Sequence, residues 1–295
     1  MTEIFGIPIQ ALLGQLLLGL VNGSFYAMLS LGLAVIFGLL GIVNFAHGAL
    51  YMMGAYVAWA CLDAWGLNYW LALGAVPLVL GVVGVAIERI FLKRLYQLDP
   101  LYSLLLTFGL ALIFEGVLRD RYGVSGQQYP VPEALQGAVN LGFMVLPVYR
   151  AWVVLACLTV CLATWFLIEK TRLGATLRAG TENPRLVQAF GINVPRMVTL
   201  TYAGGAALAG LAGVLAAPVV QLTPLMGSNL IIVVFAVVVI GGMGSILGSI
   251  LTGIGLGLLE GLTKVFYPEA SSIVVFVVMV LVLMVRPAGL FGKEK

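Results

Sequence analysis

Two tracts of this chain, residues 4–62 and 197–259, contain no Asp, Glu, Lys or Arg. Each is interrupted by a short polar or glycine-rich break, Asn44-Phe45-Ala46-His47-Gly48 in the first and Gly241-Gly242-Met243-Gly244-Ser245 in the second. At ~1.5 Å per residue, a helical tract of about 60 residues crosses a ~30 Å hydrocarbon core two or three times. Both tracts therefore belong in a membrane. Free backbone N–H and C=O groups at membrane depth are tolerated only where they pack against protein or line a cavity. Two such breaks in matching apolar settings point to a transport path.

Composition removes the alternatives. The 295 residues are 62% hydrophobic and 9% charged, against roughly a quarter charged in ordinary soluble domains. A soluble protein with a very large core would still need a polar surface, and the two tracts offer none. An outer-membrane barrel would alternate polar and apolar residues along each strand, whereas Leu230 to Ile240 is continuously apolar. The net charge of +3 does not indicate nucleic acid, because the basic residues cluster at the ends of apolar segments, as membrane topology requires. Cys61, Cys157 and Cys161 fall within predicted spans, and Cys157 and Cys161, four residues apart, read as buried packing residues.

Apolar runs set against charged punctuation predict an all-α, polytopic transmembrane bundle. Spans are expected near 9–30, 31–62 (a broken helix), 69–87, 101–118, 151–168, 198–217, 229–243, 246–266 and 271–286. The total is eight or nine, depending on whether 229–243 crosses or re-enters. Arg89, Lys93 and Arg94 form one basic segment, Lys170, Arg172, Arg178, Arg185 and Arg196 a second, and Arg286, Lys293 and Lys295 a third. These are 11 of the 15 basic residues, and the positive-inside rule puts all three segments, with the C-terminus, in the cytoplasm. The outer side receives 63–68, 119–150, 218–228 and the turn at Pro268.

The chain reads as one transmembrane domain, 1–295, with approximate halves 1–168 and 198–286 joined by the cytoplasmic segment 169–197. The halves resemble each other, with Gly48, Gly54 and Ala58 after the first break and Gly248, Gly253 and Gly257 after the second. Small residues let helices pack closely in lipid. A probable internal repeat with two discontinuous helices is the pattern of many transporters.

Several side chains invite a functional reading. His47, the only histidine, either lines the path and titrates near ~6.5 or caps freed backbone groups in the break, and Asn44 can do the same. Either way both residues, with Phe45 between them, belong in the protein interior. Gly241, Gly242 and Gly244 would each weaken a helix by ~1 kcal/mol relative to Ala, so they read as a deliberate break. Ser245, Ser249 and Thr252 share a face that is either pore lining or back-bonded to preceding carbonyls. Asn22 and Tyr26 share a face of the first helix and are path candidates, although Asn22-Gly23-Ser24 equally suits helix–helix contact. Glu115 with Arg119, and Glu260 with Lys264, are spaced as i, i+4 ion pairs.

No catalytic constellation, metal-ligand spacing or nucleotide-binding glycine loop occurs. The expected protein is not an enzyme, needs no cofactor or metal, and draws its energy from another subunit. Between the two halves, Asn183 precedes Pro184, and Arg185 to Phe190 reads as one short helix ended by Gly191. A helix that short is unstable alone and must pack on something.

Arg178-Ala179, Asn183-Pro184, Ala189 and Gly191-Ile192 resemble the coupling segment of permeases in the branched-chain amino-acid family of bacterial ABC importers, which docks into a groove of the cytoplasmic ATPase. Asn44 to Gly48 resembles the signature ending that family's first conserved apolar block, Val239 to Gly248 its second, and Arg286 to Gly292 its C-terminal ending. The resemblance spans nearly the whole chain, and the length is similar to the smaller permease of high-affinity leucine/isoleucine/valine importers. It implies an inner-membrane protein with a second homologous permease, two cytoplasmic ABC ATPases and a periplasmic substrate-binding protein as partners. The implied cargo is a branched-chain or other small hydrophobic amino acid, with urea, short amides and aromatic acids as alternatives. A passive channel or secondary transporter would also suit the breaks, but would leave the coupling segment unexplained.

Overall fold

The computed structural model describes residues 3–4, 7–96 and 98–292. Lys293 and Lys295, counted above toward the basic C-terminus, lie outside the described residues. The described chain forms eleven α-helices: α1 (Ile9–Leu40), α2 (Ala46–Trp65), α3 (Tyr69–Ile90), α4 (Pro100–Tyr122), α5 (Val148–Lys170), α6 (Arg172–Glu182), α7 (Pro184–Ala189), α8 (Val194–Ala216), α9 (Met226–Gly241), α10 (Ile246–Phe266) and α11 (Val274–Val285). Four strands of two or three residues, β1 (Glu3–Ile4), β2 (Ile7–Pro8), β3 (Ala138–Asn140) and β4 (Val145–Pro147), pair as two hairpins.

Six segments are long and apolar enough to cross a membrane: α1, α3 with the turn after it, α4, α5, α8 and α10. The apolar helices α9 and α11 are shorter, at 16 and 12 residues. Helix α1 lies at the centre, 78% buried over its most apolar window, whereas the corresponding figures for α4 and α5 are 17% and 22%. Those two present leucine, phenylalanine and valine side chains outward, which is the surface a lipid tail requires.

Close packing in the middle follows from small residues. Helices α1 and α10 run antiparallel, with Gly19 against Gly257 and Gly261, and Gly23 against Gly253. A Cβ at Gly19 would stand 2.5 Å from the Gly257 carbonyl oxygen, so any larger residue forces the helices apart. Helix α8 packs against α1, α2 and α3, with Gly54 of α2 touching Gly210 and Gly84 of α3 touching Ala206.

Two contacts tie loop segments together at opposite ends of the bundle. Gln127 and Leu222 exchange two backbone hydrogen bonds of 2.9 Å, joining the 119–150 and 218–228 segments at one end. Thr199 of α8 bonds Glu88 of α3, bringing the basic segment after α3 and the start of α8 together at the other.

Two expectations need correction. The spans expected at 9–30 and 31–62 do not divide at residue 30, because α1 is continuous to Leu40 and the chain leaves the helix only at Gly41. That residue has φ +68° and its N–H bonds the Phe37 carbonyl at 2.8 Å, a left-handed cap that glycine adopts without steric cost. The break therefore occupies residues 41–45, and Ala46, His47 and Gly48 form the first turn of α2. The segment 169–197 holds two helices, α6 and α7, where one was expected. Only α7 carried a readable start and stop, whereas α6 contains Gly174 and Gly180, which lower helix propensity but let it pack tightly on its neighbours.

Candidate functional site

The first break is held mainly by α4 and by aromatic packing, with Ile42 and Asn44 buried and Gly41 exposed. Phe45 N–H donates to Thr107 Oγ1 of α4 at 3.1 Å, and the Thr107 hydroxyl lies 3.2 Å from the Val43 carbonyl oxygen and 3.1 Å from that of Leu104. The Phe45 ring stacks on Phe235 at 6.0 Å and meets Phe108 edge-on at 6.2 Å. Freed backbone groups thus find partners in a neighbouring helix, as membrane depth demands. Asn44 and His47 are fully buried. The His47 Nε2 lies 3.0 Å from the Leu29 carbonyl oxygen, and since a carbonyl only accepts, that nitrogen carries a proton. The imidazole thus braces α2 against α1 and does not cap the loosened turn beside it. Asn44 Nδ2 and Oδ1, His47 Nδ1 and the Tyr202 hydroxyl have no hydrogen-bond partner, which marks this interior as polar and incompletely satisfied.

The second break is shorter than the expected Gly241–Ser245, because Gly241 is still the last residue of α9 and the chain leaves the helix at Gly242. Gly242 and Gly244 have φ +100° and +93°, and the Ser245 side chain then caps α10 by accepting from Gly248 N–H at 3.1 Å. The Ser249 hydroxyl bonds back to the Ser245 carbonyl at 3.0 Å, so of the two readings of that face it follows back-bonding, while the buried Thr252 hydroxyl has no partner. The C-terminal motif folds onto this break: Leu290 N–H bonds the Ile240 carbonyl at 2.8 Å and Phe291 N–H that of Gly241 at 3.2 Å. Two carbonyls orphaned by the end of α9 are satisfied by a segment about 50 residues away in sequence. Nothing local in the sequence announced this.

Asn22 and Tyr26 are half-buried on α1. The Tyr26 hydroxyl donates to Glu260 Oε2 at 2.8 Å, and Glu260 Oε1 pairs with Lys264 at 2.5 Å. The expected i, i+4 pair therefore forms and is joined to a candidate path residue. The Glu115–Arg119 pair also forms, at 2.8 Å, and Ser228 of α9 donates to the same carboxylate at 2.7 Å. Cavities of about 190 and 400 Å³ lie on the flanks of α5 and include none of the path candidates.

The segment between the halves forms a separate site. Arg178 pairs with Glu169 at 2.7 Å and donates to the Ile168 carbonyl at 3.0 Å, tying α6 to the end of α5. Gly174 sits so close to Ile168 that a Cβ would overlap its carbonyl oxygen. The Asn183 side chain accepts from Leu186 N–H at 3.1 Å to start α7 on Pro184, and Gly191, at φ +81°, ends it. Ala179, Ala189 and Ile192 are exposed, and within α7 only Val187 is buried. Leu186 and Phe190, on one face at i, i+4, are 54% and 77% exposed. Their i, i+4 spacing is legible in the sequence, and among the described residues nothing covers them.

A family model described as the permease component of branched-chain amino acid transport systems matches residues 15–283. The chain is 30% identical over 298 residues to the high-affinity branched-chain amino acid transport system permease protein BraD of Pseudomonas aeruginosa, an alignment covering 96% of each. It is 29% identical to the corresponding protein LivH of Escherichia coli K12, again over 96% of each. Similarity to the permease protein LivM of Escherichia coli K12 is 28% over 92% of this chain and 68% of LivM. No solved structure matches the chain.

Proposed function

The chain belongs to the family of branched-chain amino acid transport permease components, and from that premise we propose that it is a transmembrane subunit of an ABC importer in the bacterial inner membrane. In this reading it pairs with a second, homologous permease, two cytoplasmic ABC ATPases drive it, and a periplasmic binding protein delivers the cargo. The observation that carries the proposal is the exposed apolar pair of Leu186, on the six-residue helix α7, and Phe190, the residue that closes it, outside the spans. A helix that short does not stand alone in water, and exposed aromatic anchors flanked by small residues are what a partner's pocket takes up. Arg178 and Ala179 on α6, and Asn183, Pro184, Ala189, Gly191 and Ile192 around α7, form the docking element. Neither a passive channel nor a secondary transporter has use for it.

The path is assigned to the two breaks and the polar face of α1: Asn22, Tyr26, Asn44, Phe45, His47, Gly241, Gly242, Gly244 and Ser245. The sealed state of Asn44 and His47 suits a closed gate that ATP-driven rearrangement opens. The cargo is assigned as a branched-chain amino acid. The tracts flanking the breaks carry no charge, so a solute with net charge would lose hydration with no counter-charge in the path, whereas a zwitterion with an apolar side chain has no net charge and carries its own counter-charge. Selection among solutes falls mainly to the binding protein.

Purification of the native complex, reconstitution with its own binding protein, and uptake of labelled leucine, urea and a simple aromatic acid test the proposal. Two ATPases and a second permease should co-purify, and leucine should be taken up with ATP. Absence of any ATPase overturns the importer assignment. Transport of urea or the aromatic acid without leucine overturns the cargo alone.

A further inference from the structure

Glu88 is a buried carboxylate that the site described above does not use. It lies in the last turn of α3 and is 1% exposed. Burying a carboxylate is costly unless hydrogen bonds replace its water, and here two hydroxyls from distant segments do so. The Tyr96 hydroxyl, in the connector leading to α4, donates to Oε1 at 2.7 Å, and the Thr199 hydroxyl of α8 approaches Oε2 at 2.7 Å. The basic neighbours Arg89, Lys93 and Arg94 make no ion pair with it among the described residues. Burial, reinforced by the carboxylate, raises the Tyr96 hydroxyl above its ordinary value, so it remains a donor.

The position of Thr199 gives this arrangement a consequence. It lies in the second turn of α8, whose first turn follows α7 with only residues 190–193 between. Val187 of α7 is buried and α7 packs on α8, so α7 lies directly against the helix that carries Thr199. One turn beyond Thr199, Tyr202 is fully buried with no hydrogen-bond partner for its hydroxyl. Helix α8 thus touches the coupling segment and the end of α3 along one short stretch, while α4, which the Tyr96 connector leads into, bonds the first break through Thr107.

We infer that Glu88 is the joint through which movement of α7 and α8 is passed to α3 and to the connector before α4, so that docking of the ATPase reaches the first break. This rests on the docking role of α7 proposed above. A carboxylate bridging two hydroxyls suits a joint, because its two oxygens hold both partners while hydroxyl rotation lets them shift without losing the bonds. Apolar packing at the same place would hold the helices equally closely but would not tie three segments to one atom pair.

The test uses the reconstituted complex and reads solute taken up per ATP hydrolysed, a ratio that a loss of protein alone does not change. Glu88→Gln keeps one acceptor oxygen and replaces the other with an amide N–H that a hydroxyl oxygen can accept, so it should retain most of the wild-type ratio. Glu88→Leu should lower it at least tenfold while ATP hydrolysis continues. Thr199→Val removes only the tie to α8 and gives the same reading if Glu88→Leu does not assemble. A lowered ratio in both Thr199→Val and Tyr96→Phe supports the joint. An unchanged ratio in Thr199→Val overturns it. Ala189→Asp separates the two claims: if it uncouples transport and Thr199→Val does not, the docking role stands and the joint falls.

Discussion

Gly38, two residues before the end of α1, and Gly244, in the second break, meet backbone to backbone: a Cβ on Gly38 would stand 2.5 Å from the Gly244 Cα. The last turn of α1, which leads into the first break, and the second break, about 200 residues away in sequence, are therefore packed through a contact that admits no side chain.

Gly38→Val should separate them. Overpacking a tight contact costs about 1–3 kcal/mol, and because the obstacle is backbone, no side-chain rotation relieves it. The expected result is a lowered midpoint of thermal unfolding and reduced uptake. Gly109→Ala on α4, where a Cβ meets nothing within 4 Å, is the matched control and should unfold no earlier than the wild type. Equal midpoints for Gly38→Val and the wild type would show that the contact is not rigid.

Ala189→Asp places a charge beside Leu186 and Phe190. If α7 docks in an apolar groove, the desolvated and unpaired carboxylate should cost several kcal/mol of binding and reduce uptake at least tenfold, with the protein still inserted in the membrane at normal levels. Gly191→Val, at φ +81°, should act in the same direction by straining the turn by about 1–3 kcal/mol. Wild-type uptake by Ala189→Asp counts against docking through this helix.

Single cysteines report on the path, in a background with Cys61, Cys157 and Cys161 replaced. Met243, 53% exposed, and Ser245, half-buried, should react with a small aqueous thiol reagent at rest when replaced by Cys. Asn44→Cys and His47→Cys, buried in this state, should react only while ATP is being hydrolysed with loaded binding protein present. Protection of both throughout the cycle would make the first break a permanent brace and move the path elsewhere.

The uncharged tracts dictated a membrane bundle on their own, because hydrophobicity at this length has no other stable destination. The placement of Gly242, Gly244 and Ser245 in an interruption of the helices was likewise local chemistry, as was the start of α7 at Asn183-Pro184. These features depend on a few adjacent residues, and so adjacent residues revealed them. The end of α1 was not placed correctly, since Gly41 is one of several glycines in that tract and only its packing context turns it into a cap while Gly32 and Gly38 remain helical. What the tertiary structure alone decided is which distant groups satisfy one another: the C-terminal motif on the carbonyls of Ile240 and Gly241, Tyr26 on Glu260, and Tyr96 and Thr199 on Glu88. A buried polar group in a membrane protein must find a partner, and sequence states the need without naming the partner. The partner is set by helix packing, which brings together residues separated by up to hundreds of positions.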